Sequence, residues 1–382
     1  MATEIHGFAK PGFESVKDAF AHNFERDDAY RELGSSLAVY VKGELVVDLH
    51  AGWRDAERTI PWTKDTLVNI WSATKGVAAL EVATLVDQGK LDYDALVSDY
   101  WPEYGCNGKE KTTVSQLMSH QAGLPGIEEP TTLEEFYDWD TVIGRLEKQA
   151  PMWEPGTKNS YHAMTYGFLA GELIRRATGL LPGDYLAESL AGPMNADVYI
   201  GLPESEEHRV SSLIPSPLQP PLQSDPAAAP PEAVIAVTNP DMEPTLPNQR
   251  AWRAAQIPAG NGHATAMGLA RLYGAAANGG TLDCVTLMQP ETVEAMCELQ
   301  TDRVDILLGQ PAMWRQGMSG NIMNMYGPHD TTVGHSGWGG SFGCLDIGHG
   351  VGIGYVLNQM GDSTVGDPRD ALLCEKIFEC VQ

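Results

Sequence analysis

Two stretches with the alternation of paired strands stand at opposite ends of this chain, and they restrict its fold more than anything between them. Near the start, Leu37-Ala38-Val39-Tyr40-Val41 and Leu45-Val46-Val47-Asp48-Leu49 flank a Lys42-Gly43 turn, the pattern of a β-hairpin. Near the end, Gly343-Cys344-Leu345-Asp346-Ile347 and Val351-Gly352-Ile353-Gly354-Tyr355-Val356-Leu357 flank Gly348-His349-Gly350 in the same way. Between them the periodicity is mostly helical. Helices are expected near 76–89, 113–119, 164–178 and 264–278, the last stopped by Asn278-Gly279-Gly280. An N-terminal helix over 12–32 places Phe13, Val16, Phe20 and Phe24 on one stripe, and a closing helix spans 370–381. Strands at both ends with helices between imply an α+β fold, in which an antiparallel sheet is assembled from both termini and flanked by helices. The expected sheet subdomain is 1–75 with 320–382. The expected mainly helical insert is 76–319, with the functional cleft in the seam.

Composition removes several classes of function. At 382 residues the chain can hold one large domain or two, and 43% hydrophobic with 20% charged residues describes an ordinary globular protein. A net charge of −26 disfavours nucleic acid and anionic membrane surfaces as partners. No apolar run reaches the roughly eighteen residues of a membrane span. The first residues, Met1-Ala2-Thr3-Glu4-Ile5-His6-Gly7, lack the basic and apolar regions of a signal peptide, so a cytoplasmic protein is expected. Six scattered cysteines form no C-x-x-C pair and read as reduced, mostly buried thiols. The ten histidines show no metal-ligand spacing, so neither a metal nor an organic cofactor is expected. Monomer and homo-oligomer both stay open.

The chemistry concentrates at Ser72-Ala73-Thr74-Lys75. It follows the apolar run Leu67-Val68-Asn69-Ile70-Trp71 and opens a helical stretch. A lysine three positions after a serine lies one turn away on the same helix face. The helix start adds free N–H groups and partial positive charge, which suit a developing oxyanion. If burial leaves the lysine neutral, it can take the serine's proton. Alone the tetrad is weak, since chance supplies about one S-x-x-K in a chain this long. The plain alternative is a capping serine beside a solvated lysine.

Two further stretches change that balance: Trp153-Glu154-Pro155-Gly156-Thr157-Lys158-Asn159-Ser160-Tyr161-His162-Ala163, and Val333-Gly334-His335-Ser336-Gly337-Trp338-Gly339-Gly340-Ser341. With them, from about residue 35 to the C-terminus, the chain resembles the serine β-lactamase and penicillin-binding superfamily, most closely the family VIII carboxylesterases. Leu117-Met118-Ser119-His120-Gln121-Ala122-Gly123-Leu124-Pro125 and Gly260-Asn261-Gly262-His263-Ala264-Thr265-Ala266 support the resemblance. It implies a β-lactamase/transpeptidase-like fold with Ser72 as nucleophile and Lys75 and Tyr161 as proton-transfer groups. It also implies an oxyanion hole from the backbone N–H groups of Ser72 and Trp338. Which of Lys75 and Tyr161 accepts the first proton is left open; neighbouring cations could lower the phenol's pKa of about 10. The Trp338 side chain could equally be only a wall of the pocket.

The substrate side departs from true β-lactamases. His335-Ser336-Gly337 stands where they carry Lys-Thr/Ser-Gly, and a neutral imidazole should weaken carboxylate recognition. His335 could also be a packing residue. Ala163 stands where they carry an Asn that contacts the substrate's acylamino group. Both departures favour a simple small-molecule ester. Gly337 and Gly339-Gly340 should let edge-strand backbone approach the substrate. Gly339-Gly340-Ser341-Phe342-Gly343 imitates a nucleophile elbow, but a strand pattern rather than a helix follows it, which argues against Ser341. The Pro-rich stretch from Pro215 to Pro247 reads either as a surface excursion or as a stiff wall of the cleft. The expectation is therefore hydrolysis of small to medium carboxylic esters. Amidase, peptidase, weak β-lactamase and acyltransferase chemistry are the alternatives on the same scaffold, and a non-turnover acyl-binding sensor is the alternative outside enzymes.

Overall fold

The computed structural model describes residues 3–218, 229–363 and 366–381. Along the described chain run β1 (Ile5–Ala9), β2 (Gly34–Val41), β3 (Glu44–Gly52), β4 (Val68–Asn69), β5 (Val198–Tyr199), β6 (His263–Ala264), β7 (Thr281–Leu282), β8 (Val285–Thr286), β9 (Ser319–Gly320), β10 (Thr332–Ser336), β11 (Phe342–Asp346) and β12 (Val351–Leu357). Seven of these form one antiparallel sheet in the order β1-β3-β2-β12-β11-β10-β9. The two hairpins expected from the sequence are β2–β3 and β11–β12. They join along β2–β12, where Val39 stands opposite Ile353. Lys42 (φ 50°) and Gly43 (φ 77°) make the first turn, both in the left-handed region that tight hairpins need.

Strand alternation assigns the two faces. Leu37, Val39, Val47, Leu49, Ile353 and Tyr355 pack beneath the helices Glu14–Glu25 and Pro368–Cys380. Ala38 and Tyr40 point to the other face, which the helix Ala266–Ala277 covers. That helix approaches the sheet closely because glycine meets glycine. A Cβ on Gly352 would run into the backbone of Gly274, and one on Gly343 into the Tyr273 ring.

The interior helices fall within two residues of expectation at Thr74–Asp87, Val114–Met118, Thr165–Thr178 and Ala266–Ala277. The N-terminal one is shorter than 12–32. It ends at Glu25, Arg26 turns extended (φ −54°, ψ 148°), and Glu32 descends into the interior beside Arg369. The helix Thr74–Asp87 is buried from Thr74 through Leu85, as a helix that is apolar nearly all round must be. A small sheet, β4-β6-β5, delivers the chain to its start. In the described part of the Pro-rich stretch, Pro231–Thr238 is a helix that sets Ala233 and Ala236, with Leu307, against Tyr161 and Ala163. Asn239 ties its end to the carbonyls of Ile127 (2.6 Å) and Glu129 (2.8 Å). This part is a wall of the cleft; Pro220, Pro221 and Pro226 lie outside the described residues.

Candidate active site

Ser72 sits in a single 3-10 turn, Trp71–Ala73, that leads directly into the helix Thr74–Asp87. Trp71 holds a left-handed φ of 43°, a conformation costing about 1–3 kcal/mol for a residue of its type. Polar side chains around it hold the turn. Asn69 Oδ1 accepts from Trp71 N (3.0 Å) and Asn69 Nδ2 donates to Gly260 O (3.1 Å). Thr74 Oγ1 accepts from Gly262 N (2.9 Å). The Gly260-Asn261-Gly262 stretch singled out in the sequence is therefore the brace of the Ser72 turn.

One turn on, Lys75 Nζ donates to Ser72 Oγ at 3.0 Å and to the Ala259 carbonyl at 2.8 Å. Lys75 is fully buried, and no carboxylate among the described residues pairs with it. Burial alone holds its pKa well below the ordinary lysine range, which favours the neutral amine. The amine also lies 4.7 Å from the centre of the Tyr161 ring, and Ser72 is near enough to the Tyr161 phenol to act against the upward push of burial on its pKa. Ser72, Lys75 and Tyr161 thus meet at one point.

The sequence left the state of the phenol open. Burial pushes the Tyr161 pKa upward, and the single neighbouring amine does not offset it. The hydroxyl stays protonated at neutral pH. Tyr161 is held by Asp305 and Trp314, which the sequence left unmarked, and by His120. Asp305 accepts from Tyr161 N (2.9 Å), Asn159 Nδ2 (3.2 Å) and Trp314 Nε1 (3.0 Å). Trp314 stacks on the phenol ring at 5.5 Å and 6°, and His120 packs edge-on at 5.0 Å. An acidic residue far along the chain carries no local signal of this role. Tyr166, which also packs on His120, is fully buried.

The third stretch closes on Ser72 through a backbone contact. A Cβ at Gly337 would collide with the Ile70 carbonyl, so only glycine lets the turn after β10 lie against the Ser72 turn. The Trp338 N–H donates to no protein group among the described residues, and its indole packs on Trp71 at 5.2 Å. Gly339 (φ 98°) and Gly340 (φ 118°) complete the turn. Beneath it the fully buried Arg369 donates to Gly339 O (2.8 Å) and Gln359 O (2.8 Å). Asp367 grips the same guanidinium at 2.8 and 2.7 Å. β10 is not the outermost strand: β9 flanks Val333 and Gly334 and leaves His335 and Ser336 unpaired on that side.

His335 Nδ1 lies 2.9 Å from the Ser336 carbonyl, which assigns the proton to Nδ1 and leaves the Nε2 lone pair without a partner. Burial, and then Lys75, lower its pKa to about 3, so the ring is neutral across the physiological range. The Ser336 hydroxyl is buried and already engaged by Tyr326 Oη (3.0 Å), which makes it the least available of the substrate-side residues. Ala163 offers a half-buried methyl group beside the Pro231–Thr238 wall. Ser341 is also buried, its Oγ accepting from Leu357 N (3.2 Å), and the strand β11 follows it.

The beta-lactamase family profile matches residues 20–375 of this chain. The chain belongs to that family. Among curated members it is 34% identical over 379 residues to the esterase/beta-lactamase LipL of Mycobacterium tuberculosis, covering 93% of this chain and 83% of LipL. Among solved members, the crystal structure of a family VIII carboxylesterase superposes with a TM-score of 0.93 at 42% identity, covering 99% of this chain and all of the other. A penicillin-binding protein homologue from Caulobacter crescentus gives 0.92 at 40% identity, over 99% and 100% of the two chains. This beta-lactamase family member has no helix, among its described residues, long and apolar enough to cross a membrane.

Proposed function

We propose that this chain is a serine carboxylesterase acting on small to medium esters. The observation that carries the reading is the Ser72 Oγ to Lys75 Nζ contact of 3.0 Å, made by a buried amine with no carboxylate partner among the described residues. Neutral Lys75 accepts the Ser72 proton as Oγ bonds to the ester carbonyl carbon. The carbonyl oxygen becomes an oxyanion facing the N–H groups of Ser72 and Trp338. The C–O bond to the alcohol then breaks, and the alcohol leaves with a proton handed on through the Tyr161 hydroxyl. Water adds to the acyl-enzyme by the same route and releases the acid. With its phenol held protonated, Tyr161 shuttles the proton and Lys75 is the first base.

A neutral His335 whose Nδ1–H is already engaged, and the methyl of Ala163, offer a β-lactam carboxylate and its acylamino group neither a cation nor a free hydrogen-bond donor, which supports ester over β-lactam. The six cysteines are all free, which fits the reducing cytoplasm we assign it. Hydrolysis of p-nitrophenyl butyrate beside a chromogenic cephalosporin, by wild type and Ser72→Ala, tests the reading. Ester turnover should exceed cephalosporin turnover and vanish in the variant. Retained activity in Ser72→Ala would sink the nucleophile assignment, and faster cephalosporin turnover would make this a β-lactamase.

A further inference from the structure

At the opposite end of β10 from Ser336, the β10–β11 pairing sets Thr332 beside Asp346. This brings the loop before β10 against the β11–β12 turn and gathers His329, Asp346 and His349. One donor atom from each lies within 4.8 Å of the others. The imidazoles of His329 and His349 stack 3.9 Å apart at 18°, and the Phe378 ring packs edge-on against both. Asp346 is fully buried, while the His349 side chain is 36% exposed. Asp346 Oδ1 accepts from Thr331 Oγ1 (2.9 Å) and Gly348 N (2.8 Å), and Oδ2 accepts from Thr332 Oγ1 (3.3 Å) and His349 Nδ1 (3.0 Å).

We propose that His329, Asp346 and His349 form a binding site for one borderline divalent transition-metal ion, separate from the ester-hydrolysing centre. Two imidazole nitrogens, one of them backed by a carboxylate, suit Zn²⁺ or Ni²⁺ rather than Mg²⁺ or Ca²⁺, which prefer all-oxygen shells. Asp346 performs the task that carboxylates have behind metal-bound histidines. By holding the Nδ1 proton of His349 it fixes the tautomer and turns the Nε2 lone pair outward. His329 supplies the second nitrogen, and the exposed side of the pair leaves room for water ligands. Bonds of about 2.1 Å in a tetrahedral shell set donors roughly 3.4 Å apart. Bringing one nitrogen from each ring to that spacing lies within side-chain rotation of two half-buried imidazoles whose centres are 3.9 Å apart. The ion would clamp the loop before β10 to the β11–β12 turn and leave Ser72 untouched.

Isothermal titration of the full chain with Zn²⁺, repeated with Ni²⁺, tests this against His329→Ala, His349→Gln and, as a control, the His6→Ala/His50→Ala pair. The control removes the other stacked histidine pair on the sheet, whose centroids are 5.4 Å apart. Wild type and the control should take up one equivalent with micromolar Kd. Either cluster variant should weaken uptake at least tenfold while keeping wild-type ester hydrolysis, which also reports that it folds. Should a variant fail to fold, diethyl pyrocarbonate modification of wild type decides instead. Zn²⁺ must protect His329 and His349. Equal uptake by wild type and the cluster variants, no uptake by wild type, or no protection would overturn the site.

Discussion

Two basic side chains of this molecule are completely buried beneath two turns that pack together, and they have opposite fates. Lys75 has a carbonyl and a hydroxyl for company and no carboxylate; burial drives its pKa down. Arg369 has Asp367 in a two-point grip and Glu32 at 3.3 Å; its pKa is raised. An unpaired buried cation gives up its charge, whereas a paired one keeps it. The first arrangement makes a base beside Ser72. The second makes a fixed post under the Gly337–Gly340 turn. Burial of charge is common to both, and pairing decides which becomes chemistry.

The sharpest way to break this contrast is Lys75→Met. Removing the proton acceptor should cost roughly 10³ in kcat/KM, within the span of general-base catalysis, while the melting temperature holds or rises because an unpaired buried amine is gone. The pH profile sharpens it further. The folded pKa of Lys75 lies below its unfolded value, so the unfolded chain binds the extra proton. The stability contributed by this group should therefore fall as pH drops from the unfolded toward the folded pKa, and the ester activity as pH drops through the folded pKa. An acid limb in kcat/KM that persists in a His335→Gln variant would assign the limb to Lys75, since His335 titrates only near pH 3. A Lys75→Met variant with near-normal turnover would end the comparison.

Arg369→Met should do the reverse. It strands Asp367 and Glu32 in the interior, and losing one partner of a buried ion pair costs about 3–5 kcal/mol. Denaturant midpoints should fall accordingly, and whatever remains folded should keep the acid limb of wild type. The kcat loss should be smaller than that of Lys75→Met, because Arg369 acts on the turn through Gly339 O and touches no reacting atom.

The two residues also differ in how far the sequence revealed them. Lys75 was legible because its partner is one helical turn away, and both hairpins were legible because alternation is local. Even the join of β2 to β12 followed from strands standing at both ends. Arg369, Asp305 and Trp314 were not legible. Each acts on a residue far away in the chain, and each reads locally as an ordinary loop or helix residue. The Ala259 carbonyl that receives Lys75 is backbone and has no sequence signature. Tyr161 stood out in its motif, but the balance of forces on its phenol did not. Local reasoning counts nearby cations, while desolvation is set by the Pro231–Thr238 wall and Trp314, which only the fold brings together.

The smallest expected effect tests whether Asp367 alone is enough to keep Arg369 charged. Arg369 faces two carboxylates, so one is in excess. Burial pushes Glu32 up to about 7, and one of its oxygens has no partner. Its folded pKa exceeds its unfolded value of about 4.5. The folded chain therefore binds the extra proton between those values, and the stability this proton supplies is lost as pH rises toward 7. Glu32→Gln removes that dependence and retains a hydrogen-bonding group for Tyr355. The melting temperature of Glu32→Gln relative to wild type should thus be more favourable at pH 8 than at pH 5, by a few degrees, with ester turnover unchanged. A difference that runs the other way would mean that Glu32 is ionised throughout and that Arg369 needs both carboxylates, making the post under the turn a three-membered ion cluster.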